Sequence, residues 1–158
     1  MSKSTSVRVR PVEPTDEARW RELWQGYLVF YEKTLPSEVT AFTWKRILDP
    51  ASSIKTIVAE ADGGGVVGIA NYLLHENTWS VAPICCLEDL FVDPAWRGRG
   101  IGRQLIDWLV DETRRRGWGS LYWHTHQDNR QARALYDQYT LHSGFLRYVI
   151  APNSLDAT

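Results

Sequence analysis

Two adjacent carboxylates, Glu88 and Asp89, stand in an apolar run that stops at Asp93-Pro94. A basic, glycine-rich turn follows, Arg97-Gly98-Arg99-Gly100-Ile101-Gly102, and then an amphipathic helix begins. The stretch from Leu87 to Leu109 thus reads as strand, glycine turn and helix N-terminus. Backbone N–H groups converge at such a junction, and the helix dipole adds partial positive charge. Glycine lets the backbone approach an anion closely. The turn is expected to hold a phosphorylated ligand. The plain alternative is a tight strand-to-helix connection.

Spacing narrows the ligand. A nucleotide P-loop needs Gly-Lys-Ser/Thr at its end, and none is present. A dinucleotide fingerprint needs glycine at 103, where the chain has Arg103. The turn does fit Arg/Gln-x-x-Gly-x-Gly, with Arg97, Gly100 and Gly102. This pattern resembles the pyrophosphate loop of the GNAT N-acetyltransferases, which bind acetyl-CoA. The helical segments WRELWQGYLVFYE and FTWKRILDP look like the small yeast histone and polyamine acetyltransferases. LEDLFV before the glycine turn looks like those enzymes and the spermidine/spermine acetyltransferases.

The resemblance implies acetyl-CoA as co-substrate. Its pyrophosphate would sit on Arg97, Gly98, Arg99, Gly100, Ile101 and Gly102, with Arg103 from the first helical turn. The pantetheine arm would add like a strand beside Leu90 to Val92, where the sheet splays open. Asn129 matches the family's cofactor-contacting asparagine; it also suits a helix N-cap. Tyr136 falls on the family's N-x-x-A-x-x-x-Y spacing with Asn129 and Ala132. A phenol, with an ordinary pKa of about 10, can donate a proton to a departing thiolate. The alternative is an amphipathic tyrosine with a buried ring and a wet hydroxyl. Glu88 matches the glutamate proposed as base in the polyamine acetyltransferases, or it attracts a cationic amine by charge alone. Strict strand alternation puts Glu88 and Asp89 on opposite faces. His126 is a further candidate base, or a solvated loop histidine.

The elements that must position these groups follow from periodicity. Val7 to Glu13 alternates as a strand. Trp20, Leu23, Trp24, Tyr27, Leu28 and Tyr31 recur at helical spacing, and a second helix spans about 37–48. Ile54 to Glu60 and Val66 to Leu74 read as strands joined by a turn at Asp62-Gly63-Gly64-Gly65. Asn77-Thr78 reads as another turn, and a longer strand runs from about Val81 to Val92. The helix over 101–116 is expected to pair Asp111 with Arg115 and Glu112 with Arg116, and to end at Gly117. Leu121 to Thr125 reads as a strand, Asp128-Asn129 as a helix start, Phe145 to Ile150 as a last strand and the remainder as a polar tail. The family often places Gly-Phe closely behind the tyrosine. Here Gly144-Phe145 comes later, which puts the last strand's register in question. The order implies an α/β (mixed) class, a mixed sheet with helices on both faces; the resemblance implies the GNAT acyl-CoA N-acyltransferase fold, which has this order, with a six- to seven-stranded sheet.

At 158 residues the chain is expected to be one domain, 1–158, and 44% hydrophobic residues suffice for a core. A net charge of -1 argues against nucleic acid as partner. The start, MSKSTSVRVR, lacks the apolar core of a secretory signal, and no run is long enough to span a membrane. A cytoplasmic location is expected. Cys85 and Cys86 read as small buried strand residues, with no metal site. Most of the eight tryptophans must be core.

The expected activity is transfer of an acetyl group from acetyl-CoA to a primary amine by direct attack in a ternary complex. A polyamine or other small amine is favoured as acceptor. Tyr27, Tyr31, Glu32, Trp79 and His75 are candidates for its groove. A protein lysine or N-terminal amine is the alternative acceptor, and a non-catalytic acyl-CoA-binding module is the alternative class. A homodimer is expected.

Overall fold

A five-stranded sheet leads into the glycine turn. The computed structural model describes residues 6–63 and 65–152. The readings of residues 1–5, of Gly64 within the turn and of the tail beyond 152 lie outside the described residues. The chain divides into two compact units, Met1–His124 and Thr125–Thr158.

In the first unit the elements are β1 (Val7–Pro11), α1 (Glu17–Phe30), α2 (Ser37–Leu48), β2 (Ile54–Ala61), β3 (Gly65–His75), β4 (Ile84–Val92), α3 (Ile101–Arg116) and β5 (Leu121–Trp123). The strand order is sequential, β1-β2-β3-β4-β5. Neighbours among the first four strands run antiparallel, and β5 joins β4 in parallel after the α3 crossover. The sheet is therefore mixed, as expected.

Helices cover both faces. On one face α1 and α2 bring Trp20, Leu23, Trp24, Leu28, Trp44 and Ile47 against Val58, Ile69 and Phe91. Trp20 stacks on Trp24 at 5.7 Å and meets Trp44 at 5.2 Å, so three of the tryptophans form the heart of this core. On the other face α3 lies over Gly68, where a side chain would meet Ile101 and Leu105 at 3.3 and 3.4 Å. Its Trp108 packs against Tyr72. A bidentate ion pair closes the start of α1: Arg10 donates to both oxygens of Asp16 at 2.8 and 3.0 Å, and both side chains are buried.

Several expectations need correction. The strand count is five, not six to seven, among the described residues. Phe145 to Ile150 is not a strand: it pairs with nothing in the sheet, and Phe145 is 91% exposed. Its β-favouring residues supply propensity but no neighbour, and a strand exists only through its ladder. β4 begins at Ile84 rather than Val81, because Pro83 has no N–H to give a ladder. On α3 the buried Glu112 takes both Arg115 and Arg116, and Asp111 turns instead to Arg114. The second unit holds α4 (Arg130–Tyr136), which starts where Asp128-Asn129 predicted.

Candidate active site

The turn between β4 and α3 has the geometry of an anion cradle. Asp93 caps a short 3-10 turn at Pro94–Trp96 by accepting from Ala95 N at 2.9 Å, and it pairs with Arg19 of α1. Those contacts, the Ala95 amide first, hold the Asp93 carboxyl below the usual carboxylate range. Gly98 and Gly100 then take φ of 74° and 76°. Only glycine adopts this left-handed backbone without strain. Gly100 is the N-cap of α3, so the first helical N–H groups open onto the turn. A Cβ at either glycine would meet no protein atom within 4 Å, so the space above the turn is free. Amides at the helix N-terminus, a 16-residue helix behind them and open space in front fit a pyrophosphate. The arginines of the turn are held by rings. Arg97 donates from Nε to the Val92 carbonyl at 3.1 Å and lies over Phe91, and Arg99 lies over Trp96. A cavity of about 370 Å³ adjoins Arg97, between Gly26, Val29 and Phe30 of α1 and Phe91 at the end of β4.

β4 is paired on both sides only in its first half. It meets β5 over Cys85, Cys86 and Leu87, opposite Leu121, Tyr122 and Trp123. From Glu88 to Val92 it keeps only its β3 neighbour among the described strands. Leu90 and Val92 therefore stand on a strand edge with no β5 partner, the opening expected for an amide-bearing arm.

The two carboxylates do not alternate. The β3–β4 register runs Asn71↔Asp89 and then Tyr72↔Leu87, so Glu88 is the extra residue of a β-bulge. The bulge turns Glu88 and Asp89 to the same face, the one under α1, and corrects the opposite-face expectation. Asp89 accepts from Asn71 Nδ2 at 3.1 Å. Asn71 is locked in turn, since its Oδ1 accepts from Thr56 at 2.6 Å and from Trp20 Nε1 at 3.3 Å. Tyr27, stacked on Trp24 and tilted against Tyr31, donates to Asp89. Burial first, and the Glu88 charge further, push the Asp89 carboxyl up despite these hydrogen bonds. The Tyr27 hydroxyl is also pushed up, by burial and by the Asp89 charge. Glu88 is exposed, and its Oε1 lies 3.6 Å from the Cys86 thiol.

The sequence reading missed two participants, Asn71 and Tyr122, and named Tyr27 only as a groove candidate. Asn71 orients Asp89, and its signal was a lone amide in an otherwise apolar strand. Tyr27 and Tyr122 sit on the same face as the carboxylates, but only the fold reveals it. Trp79, a groove candidate, is 95% exposed. Cys85 and Cys86 are buried as expected. Burial pushes Cys85 up to about 12 and raises Cys86, so both are protonated thiols at neutral pH.

In the second unit, Asn129 caps α4 by accepting from Ala132 N at 3.4 Å, and its Nδ2 donates to Thr125 Oγ1 at 3.3 Å. Tyr136 is the last residue of that helix. His126 is exposed and accepts from Asp128 N at 3.2 Å, as a loop histidine does.

Comparison with known proteins places this arrangement. The model of the Acetyltransferase (GNAT) family matches residues 17–140. The chain belongs to the GNAT family. It is an N-acetyltransferase, and acetyl-CoA is the co-substrate of that family. D-amino-acid N-acetyltransferase HPA3 of Saccharomyces cerevisiae is 33% identical over 131 residues, covering 82% of this chain and 81% of the relative. Aminoglycoside N(6')-acetyltransferase type 1 of Stenotrophomonas maltophilia is 26% identical over 143 residues, 83% of each chain. Among solved structures, an aminoglycoside N-acetyltransferase AAC(6')-Iy in complex with CoA superposes with a TM-score of 0.79. That match has 20% identity and covers 96% of this chain and 99% of the other, so it establishes the fold. No helix among the described residues is long and apolar enough to cross a membrane.

Proposed function

We propose that this N-acetyltransferase acts on a small cationic primary amine, by direct attack within a ternary complex. One observation carries the choice: the bulge puts two carboxylates, Glu88 and Asp89, on one face beside Tyr27. A short alkyl ammonium suits that surface through charge pairing and cation–π contact. The relative named as a D-amino-acid acetyltransferase favours a second reading, an amino acid acceptor. Its carboxylate would have to be kept away from Glu88 and Asp89.

When bound, acetyl-CoA supplies an activated thioester acetyl group. The amides of the 97–102 turn and Arg103 offset the pyrophosphate charge, and the free edge at Leu90 and Val92 aligns the pantetheine. Asn129 is assigned a cofactor contact on the family's spacing, beside its capping role. Glu88 takes a proton from the ammonium so that the nitrogen has a lone pair to attack with. Asp89, held by Asn71, keeps a second acceptor on the same face. Tyr136, on the family's spacing, donates to the departing thiolate. Two buried, protonated thiols offer no nucleophile for a covalent acetyl-enzyme. We also keep the homodimer as a proposal, which the exposed apolar run 145–150 supports; sedimentation analysis tests it.

The test is thiol release from acetyl-CoA with a panel of spermidine, aminoglycosides, D- and L-amino acids and a lysine-bearing tail peptide, at one salt concentration. Spermidine or another small polycation should give the highest kcat/KM. A D-amino acid preferred tenfold would replace it with the second reading, and a peptide preferred tenfold would make this a protein acetyltransferase. Glu88→Gln then separates base from attractor. A base variant loses kcat/KM and the acidic limb of its pH profile, whereas an attractor variant only raises KM for the amine.

A further inference from the structure

Beneath Glu88 runs a row of hydrogen-bonding groups that crosses three strands. Cys86 stands opposite Leu73 of β3 and opposite Tyr122 of β5, and His75 is two residues beyond Leu73. All four groups, His75, Tyr122, Cys86 and Glu88, share one face. The hydrogen positions follow from the partners. His75 Nδ1 is 2.8 Å from the Glu76 carbonyl oxygen, which can only accept, so Nδ1 carries the proton. Nε2 is then an acceptor, and the Tyr122 hydroxyl, 2.7 Å away, donates to it. Tyr122 stands across from Cys86 on the neighbouring strand, and the Cys86 thiol donates to Glu88 Oε1 at 3.6 Å. Burial and the Cys86 contact push the Tyr122 hydroxyl up to about 12, and burial raises the Cys86 thiol. The two middle links therefore keep their protons at neutral pH, while a basic group stands at each end.

We propose that Cys86, Tyr122 and His75 form a proton exit for Glu88. The inference rests on Glu88 being the base. An ammonium acceptor must shed two protons from one nitrogen to become an amide, and only one can go to the departing thiolate. Glu88 must therefore pass one on. Its outer side is exposed in the free protein, but a pantetheine arm along the open β4 edge and an acceptor beside it would cover that side. The inner route stays open. Once Glu88 is protonated, the Cys86 thiol proton turns from it to the Tyr122 oxygen, and the carboxylic acid gives its proton to Cys86 Sγ as that thiol proton moves on to Tyr122. The Tyr122 proton moves to His75 Nε2 in the same shift. The result is a Glu88 carboxylate and a His75 imidazolium, which releases its extra proton to water at the partly exposed end of β3. Other titratable groups around the row are Cys85 and Asp89 on β4, His124 edge-on to Tyr122, and Glu76 beside His75. These three residues act through Glu88 and position its proton.

Tyr122→Phe removes one hydroxyl and keeps the ring. With the best acceptor of the panel above, kcat should fall about tenfold or more. KM for acetyl-CoA and for the amine should stay within about twofold. A fluorinated analogue of that amine, already neutral at the assay pH, needs only one deprotonation and should show little or no penalty. Cys86→Ser, which still offers a hydroxyl, should retain most of the rate that Cys86→Val loses. His75→Gln should slow the cationic amine in the same way and serves if Tyr122→Phe does not fold. Equal slowing of both amines would overturn the exit in favour of a packing role. Wild-type kcat in Tyr122→Phe and His75→Gln while Glu88→Gln is inactive would overturn the exit alone. Wild-type turnover in Glu88→Gln would remove the base assignment, and the exit with it.

Discussion

Gly100→Ala separates what the glycine turn does for the fold from what it does for the ligand. Gly100 sits at φ 76° and ψ 14° as the N-cap of α3. Gly117 sits at φ 70° and ψ 32° as the C-cap of the same helix. Neither would bring a Cβ within 4 Å of another group, so a methyl at either costs backbone strain and no protein clash. That strain is about 1–2 kcal/mol in the left-handed region. In a chain of 158 residues it should lower Tm by roughly 2–8 °C in both variants. Only at Gly100 does the methyl enter the space in front of the turn amides. Each hydrogen bond to a charged group is worth about 1.5–3 kcal/mol, so losing one should weaken coenzyme A binding about 10- to 150-fold. Calorimetric titration and thermal melts of the two variants make the comparison. Equal Tm losses with weakened binding at Gly100 alone are expected. Wild-type affinity in a folded Gly100→Ala protein, or equal weakening in Gly117→Ala, would refute the assignment of the turn.

Further outcomes follow from other sites. Tyr136→Phe should lower kcat about 100-fold with little change in acetyl-CoA affinity, as loss of a general acid does; steady-state kinetics with each substrate varied checks this. Asp16→Asn leaves the buried Arg10 guanidinium with one neutral partner in place of a carboxylate, and should cost about 3 kcal/mol in urea unfolding. Burial would raise the Asp16 carboxyl, but the Arg10 and Glu13 hydrogen bonds outweigh it and hold it low. Its contribution is thus fully present above the ordinary carboxylate value of about 3.9 and disappears as pH falls further. Wild type and Asp16→Asn should therefore converge in stability only below about pH 4.

The local features of this protein were written in its residues. Periodicity alone supplied α1, α2 and α3, since their apolar faces recur every three to four residues and must be buried. The 97–102 turn was readable because αL glycines before a helix N-cap follow from backbone sterics alone. What pairing decides was not readable. Phe145 to Ile150 carries the aromatic and β-branched residues of a strand and yet stands exposed, because a ladder needs a neighbour that sequence does not specify. The bulge at Glu88 is invisible too, since its register belongs to β3 and β4 jointly. One extra residue reverses the facing of every side chain before it. That reversal put Glu88 beside Asp89 and Cys86 in line with Tyr122 and His75. The sequence named the carboxylates, and the tertiary pairing gave them a common face.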